Sequence, residues 1–132
     1  MFKSNQKGQS MVEMALTMPI LVLIVAGILD LGRAYFTFIA LSDAAAEGAA
    51  YAAIHPTDTA QVINRAADSS NGLVVLDPSM VGVDYAELTP GSSITVTVEY
   101  EYQLLTPIVQ SFLNDGKLLM RATVAQPIIN QQ

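Results

Sequence analysis

An uninterrupted apolar run near the start of the chain constrains its fold more than any other feature. Residues 14–29 contain no charged side chain, and Asp30 and Arg33 are the only charged residues from there to residue 41. A helix that crosses a bilayer needs about 20 mostly apolar residues, so we expect a membrane-spanning segment over about residues 14–41. Asp30 and Arg33 lie three residues apart on one face of this helix, a spacing that allows them to neutralise each other.

The overall composition agrees with this expectation. Hydrophobic residues make up 52% of the 132 residues and charged residues only 14%, whereas a soluble domain usually carries about 25% charged residues. Much of the apolar excess lies in the first third of the chain, where lipid or other subunits must cover it. The remaining length allows one small domain.

The apolar run belongs to a longer predicted helix, from Ser10 to about Ile54, which would extend roughly 65 Å at 1.5 Å per residue. Pro19 lies inside it and removes one backbone hydrogen bond, which membrane helices tolerate by kinking or through neighbouring groups. The helix should end at His55, because a residue before a proline, here Pro56, is driven out of the helical region.

The charges flanking the apolar run predict its orientation. Lys3 and Lys7 precede it and place the N-terminus on the cytoplasmic side by the positive-inside rule. A cleaved secretory signal is disfavoured, because the run is longer than a usual signal core and no small-x-small site closes it. We therefore expect a single-pass protein of the inner (cytoplasmic) membrane whose later residues face outward.

Small residues dominate the end of the long helix, over residues 44–53. Ala45, Gly48 and Ala49 are positions at which another backbone can approach closely. This pattern fits a helix packed tightly on its own sheet, and it also fits a helix–helix contact between subunits. Both interpretations stay open, because one face of the helix can pack on the sheet while another contacts a second subunit.

A second, short helix is predicted next. Thr57 or Asp58 caps it, it runs to about Asp68, and Asn71-Gly72 ends it. Residues 73–80 read as a loop with room for a short strand.

The final third changes to the period of a strand. Residues 94–102 alternate strictly between apolar and polar side chains, which indicates a half-buried strand. Residues 81–86 alternate more weakly and join it through a turn-rich loop at residues 89–93. These two segments predict an antiparallel hairpin.

A last strand is predicted over residues 117–125, after a short helix at residues 106–113 and a turn at residues 114–116. Arg121 on this strand should pair with Glu99 or Glu101 across the sheet. The expected fold class is α+β: a long N-terminal membrane-spanning helix, a second short helix and an antiparallel sheet of three to four strands.

Several segments follow one another in an order that resembles a known protein family. Residues 8–13, 18–21 and 27–36, followed by the small residues 45–49, resemble the TadE-like family of pilin-like proteins. The strand around residues 96–100, the following residues 105–107 and the strand at 119–124 are similar to the C-terminal part of that family.

The resemblance implies a pilin-like subunit, a minor pilin or pseudopilin, of a Tad (tight adherence) type IV-like pilus. A prepilin peptidase would cut between Gly8 and Gln9, where glycine permits close backbone approach. Gln9 would become the new N-terminus, and Glu13 would help to dock a neighbouring subunit. An intramembrane carboxylate costs about 2.5–3.5 kcal/mol at the bilayer centre and seeks a partner. Glu13 is alternatively explained by the favourable dipole at a helix N-terminus.

The resemblance also implies a division of the chain and a set of partners. Residues 1–8 would be a basic leader, residues 9–55 the long helix and residues 56–132 the extracytoplasmic α+β domain. Partners would be the prepilin peptidase, other pilin-like subunits, inner-membrane platform proteins and membrane lipid, in a homo- or hetero-oligomer. After assembly the protein would lie in an extracellular filament or at the cell surface.

An enzyme is not expected. The chain has no cysteine and one histidine, His55, whose position beside a proline at a helix end favours a local role. Residues 68–72 lack the ligand spacing of a calcium loop, so we expect neither a metal nor a cofactor. Only six residues are Lys or Arg, which disfavours nucleic acid as a partner.

Two other functions remain open. The chain can be an uncleaved single-pass anchor whose outer domain binds a partner. It can also be the main filament subunit, although its outer domain is larger than the short major pilins that the resemblance implies for such systems.

Overall fold

The computed structural model describes residues 6–70, 72, 74–111 and 116–129. Over these residues a long helix is followed by a short helix and an antiparallel sheet, which confirms the predicted α+β layout. The elements in chain order are α1 (Gln6–Ile54), α2 (Thr59–Asp68), β1 (Val81–Tyr85), β2 (Ser93–Gln103), α3 (Pro107–Gln110) and β3 (Lys117–Pro127).

Helix α1 is 49 residues long and continues through Pro19. It begins at Gln6, four residues before the predicted start, so Gly8 and Gln9 lie within its first turns. It ends at Ile54 as predicted, where Pro56 prevents further helix. Its last backbone bond runs from the His55 N–H to the Tyr51 carbonyl, at 2.9 Å.

Helix α2 begins as predicted. The Asp58 carboxylate caps it and accepts a hydrogen bond from the Gln61 N–H at 3.2 Å. Residues 74–77 are irregular and Pro78–Met80 forms a single 3₁₀ turn, so this described stretch contains no strand. The predictions for Asn71, Leu73 and residues 112–115 lie outside the described residues.

The sheet has the strand order β1-β2-β3, with both neighbouring pairs antiparallel. The predicted alternation of β2 is confirmed: Ile94, Val96 and Val98 are fully buried, whereas Glu101 is exposed. Of the two predicted partners, Arg121 pairs with Glu99 directly opposite it, through Nη2 and Oε1.

The core lies between the second half of α1, α2 and the inner face of the sheet. Helix α1 packs on α2, β2 and β3. It contributes mainly alanines, while branched side chains of β2 and α2 fill the space between. Described side chains with essentially no exposed surface include Leu41, Ala44, Ala45, Ala49, Ala52, Pro56, Val62, Ala66, Ile94, Val96, Val98 and Ile128.

Candidate functional site

Among the residues that the structure describes, the first half of α1 is largely uncovered. From Gly8 to Leu29 every side chain is exposed or only half-buried, and most of these side chains are large and apolar. At 1.5 Å per residue this stretch is about 33 Å long, which matches the hydrocarbon core of a bilayer. By length and composition, α1 is the one helix in the described part of the chain that can cross a membrane.

The covered half of α1 begins abruptly at Asp30, which is only 3% exposed. Its carboxylate accepts hydrogen bonds from the Thr106 N–H at 2.8 Å and the Leu105 N–H at 3.3 Å. Its backbone carbonyl accepts a weaker one from the Tyr102 hydroxyl at 3.4 Å. We call these contacts the Asp30 anchor, because they join α1 to the chain between β2 and α3.

The direct partners of Asp30 differ from the predicted one. The described side chains of Asp30 and Arg33 form no ion pair, and Arg33 is exposed. Two backbone N–H donors satisfy the buried carboxylate without the desolvation of a second charge. The sequence offered Arg33 as a nearby partner for Asp30, whereas the donors come from the distant C-terminal part.

Near the start of α1, the residues predicted for processing and docking lie in open helix. No atom of the described residues lies within 4 Å of the position that a β-carbon on Gly8 would occupy. The Gln9 side-chain amide donates to the Glu13 carboxylate at 3.3 Å, one turn away, and both are exposed. Glu13 is seven residues past the start of α1. A helix dipole acts mainly in the first turn, so the explanation of Glu13 by the dipole depends on where the mature helix begins and stays open.

The small residues of α1 lie inside the chain's own core. Ala45 and Ala49 are fully buried. A β-carbon on Gly48 would lie 3.0 Å from the Ala66 β-carbon and 3.2 Å from Val96 Cγ1. Glycine therefore allows α1 to approach α2 and β2 at the same point. The other side of this helical segment, around Ala46 and Ala50, is exposed.

An apolar stripe continues along the outer face of α1 beyond the Asp30 anchor. Leu31, Tyr35 and Phe38 are exposed and lie on one side of the helix, with spacings of four and three residues. Ile24 and Ile28 continue the same spacing back into the first half. Apolar residues repeating every 3.5 positions form the contact seam of paired helices. We call these five residues the outer stripe.

His55 lies at the predicted helix end, at one end of a polar and aromatic stack. Its ring stacks on Tyr51 with centroids 4.6 Å apart. The Arg65 guanidinium lies 4.5 Å from the Tyr51 ring centre and pairs with Glu47 at 3.5 Å. This stack joins α1 to α2, a local role of the kind expected for His55.

Three features of α1 are relevant to its family: the uncovered apolar half, the Glu13 carboxylate near its start and the small residues of the second half. Residues 8–50 match the TadE-like protein family. The predicted resemblance is confirmed over this segment, about a third of the chain, while that of the C-terminal strands stays a prediction. No curated protein and no solved structure matches the chain.

The TadE-like segment contains the uncovered half of α1, the helical residue of the Asp30 anchor and the small residues that pack on the sheet. The match supports a pilin-like protein associated with a Tad pilus, which is a structural rather than an enzymatic class. The single apolar helix is consistent with membrane anchoring.

Proposed function

We propose that this chain is a minor pilin or pseudopilin of a Tad-type pilus, and that it assembles through the uncovered face of α1 after removal of its leader. The observation that carries the proposal is that, in the described part of the chain, no side chain of α1 from Gly8 to Leu29 is buried. The outer stripe extends that apolar surface beyond the start of the folded domain, where the α1 helix of another subunit can pack against it.

After leader removal, the membrane segment of this proposal is residues 9–29, followed directly by the outer domain at Asp30. The first expectation, residues 14–41, included positions that are buried against the sheet, such as Thr37, Ala40 and Leu41. Lipid cannot reach these side chains. The shorter segment still holds enough residues to span, since about 20 are needed. Lys3 and Lys7 would keep the N-terminus in the cytoplasm.

Leader removal would occur at the bond between Gly8 and Gln9. Both residues lie in the first turns of α1, so a peptidase must open the helix locally to reach this bond. Glycine in a helix is less favourable than alanine by about 1 kcal/mol, which makes opening easier at this point. Gly8 also has open space around it.

Glu13 would serve assembly once Gln9 carries the new N-terminal ammonium. The carboxylate is exposed on an apolar helix, where it lacks a cationic partner within the described chain. The ammonium of a neighbouring subunit would supply that partner and set the stagger between two helices. An uncleaved anchor, or a main filament subunit, would share the same helix but differ in processing or abundance.

The leading test is the intact mass of the protein isolated from its native membranes or filaments. We expect loss of residues 1–8 in the wild type and retention in Gly8→Leu, because the added side chain obstructs the peptidase. Gly27→Leu is the matched control, since Gly27 is also a helical glycine with nothing within 4 Å. If Gly8→Leu lost residues 1–8 as completely as Gly27→Leu, the assigned bond would be wrong.

The docking role of Glu13 is tested separately, by the amount of chain recovered in sheared filaments. Glu13→Gln should reduce recovery while leaving cleavage intact. Glu87→Gln, an exposed carboxylate on the loop between β1 and β2, should assemble normally. Equal recovery of the two variants would remove Glu13 from the assembly step.

A further inference from the structure

The loop that carries the Asp30 anchor bears an apolar residue with nothing covering it. Leu105 is 64% exposed, although its neighbours Leu104 and Thr106 are buried. Its backbone N–H bonds the Asp30 carboxylate, so its side chain points away from the core. An exposed leucine alone needs no explanation, but Leu105 lies beside the uncovered half of α1.

The loop lies at the level where the uncovered half of α1 ends. Leu105 and Pro107 line an open groove of about 430 Å³ together with Ala26, Leu29 and Arg33 of α1. Ala26 is one helical turn, about 6 Å, before Asp30. The loop therefore overlaps the last turn of the apolar segment, rather than lying above it.

The sequence of this loop suits a lipid surface. Residues 104–113 contain no charged side chain, whereas the flanking residues include Glu101, Asp115 and Lys117. Exposed Arg33 borders the same groove, where a cation on a flexible stem can reach lipid phosphate while its stem stays apolar.

The loop is also held in a fixed shape, so that it presents Leu105 in one direction. The Leu104 N–H donates to the Gly116 carbonyl at 3.1 Å, and the Gln110 N–H donates to the Thr106 carbonyl at 3.0 Å. The Gln110 side chain donates to the Leu104 carbonyl. Gly116 has a φ of 65°, and a β-carbon there would lie 2.7 Å from Gln110 Cγ. A glycine is therefore required for the loop to close.

We propose that the loop at residues 104–111 is a second membrane contact, which rests on the outer surface of the bilayer and inserts Leu105 among the lipids. The two contacts, α1 and this loop, would fix the orientation of the outer domain on the membrane before assembly. Lipid is the occupant because the loop's apolar surface is continuous with the surface of α1 that the membrane covers. This inference rests on the membrane anchoring in the proposed function.

Single-cysteine probes on the full chain test this contact, since the natural sequence contains no cysteine. Leu105→Cys would carry an environment-sensitive fluorophore, with one chain per nanodisc of phosphatidylethanolamine and phosphatidylglycerol. Ile129→Cys is the matched control. Ile129 is 72% exposed, and its N–H bonds the carbonyl of Ala53, at the far end of α1. Leu21→Cys, in the middle of the apolar segment, reports on anchoring itself.

We expect nitroxide-labelled lipid to quench the probes at residues 21 and 105 severalfold more than the probe at residue 129. If the probe at residue 105 behaves like that at residue 129 while residue 21 is quenched, the loop contact is wrong and the anchor stands. Failure of quenching at residue 21 overturns the anchor and the loop contact together. If the probe at residue 105 reports an apolar environment only in nanodiscs that hold several copies of the chain, the loop contacts a neighbouring subunit. That result would overturn the lipid contact.

Discussion

The two halves of α1 place the same backbone in two different surroundings. From Gly8 to Leu29 the helix carries large apolar side chains all around and buries none of them. From Asp30 to Ile54 one face carries alanine and glycine and forms the centre of a folded domain. Mean hydropathy alone does not separate the halves, because residues 31–41 are mostly apolar too. Side-chain size separates them: large residues face outside partners, and small residues admit the chain's own sheet.

Adding the same side chain to a glycine in each half should break the fold in only one of them. Gly48→Leu places new atoms against Ala66 and Val96, which already lie 3.0 Å and 3.2 Å from the β-carbon position. Overpacking of this kind costs about 1–3 kcal/mol or more. At Gly27 an added β-carbon meets no described atom within 4 Å, so Gly27→Leu should match or exceed wild-type stability. Denaturant unfolding in detergent, followed by the sheet's circular dichroism, measures both.

Gly48→Leu and Gly27→Leu are compared with each other because they introduce the same side chain. Replacing glycine by leucine favours the helix by a similar amount in both variants, so the difference between them reports packing alone. Equal unfolding midpoints would mean that α1 does not approach the sheet as closely as Gly48 indicates.

Removing the carboxylate at the boundary should release the loop without unfolding either half. In Asp30→Ala the N–H groups of Leu105 and Thr106 lose their acceptor, which costs about 1–3 kcal/mol when such groups stay buried. Asp43→Ala removes an exposed carboxylate from the same helix and should change stability by less than about 0.5 kcal/mol. Hydrogen exchange at the amides of residues 105 and 106 should accelerate only in the first variant. Unchanged exchange there would contradict the Asp30 anchor.

Much of the fold was predictable because its signals are local. The end of α1 follows from Pro56, the cap of α2 from Asp58, and the inner face of β2 from alternation between neighbouring residues. The pairing of Arg121 with Glu99 follows once two adjacent strands are aligned. Each of these conclusions needs only a short stretch of chain, or two stretches joined by a turn.

The boundary within α1 was not predictable in this way. Asp30 bonds backbone groups 75 and 76 positions later in the chain, and a backbone N–H has no signature in sequence. The exposure of Leu105 likewise depends on how a loop folds back on a helix far from it. The sequence therefore shows that a charge, Asp30, interrupts the apolar run. Only the tertiary contacts show that this carboxylate binds the backbone of the loop after β2.

The smallest expected effect concerns the hydroxyl that reaches across this boundary, that of Tyr102. Burial raises the pKa of Tyr102 above its ordinary value near 10, and the nearby Asp30 adds to the rise while Arg33 opposes it. The unfolded chain therefore loses this proton at a lower pH than the folded chain. The contribution to stability is complete below about pH 10 and is lost as the pH rises through the folded-state value.

Tyr102→Phe should consequently lose less stability between about pH 8 and about pH 11 than the wild type does. At neutral pH the same variant should cost little, because the hydrogen bond it removes is long, at 3.4 Å. Tyr85→Phe, which removes an exposed phenol at the end of β1, is the matched control. If Tyr102→Phe and Tyr85→Phe lost stability equally, Tyr102 would not be buried against α1 at Asp30. The covered half of the helix would then have to begin further along the chain.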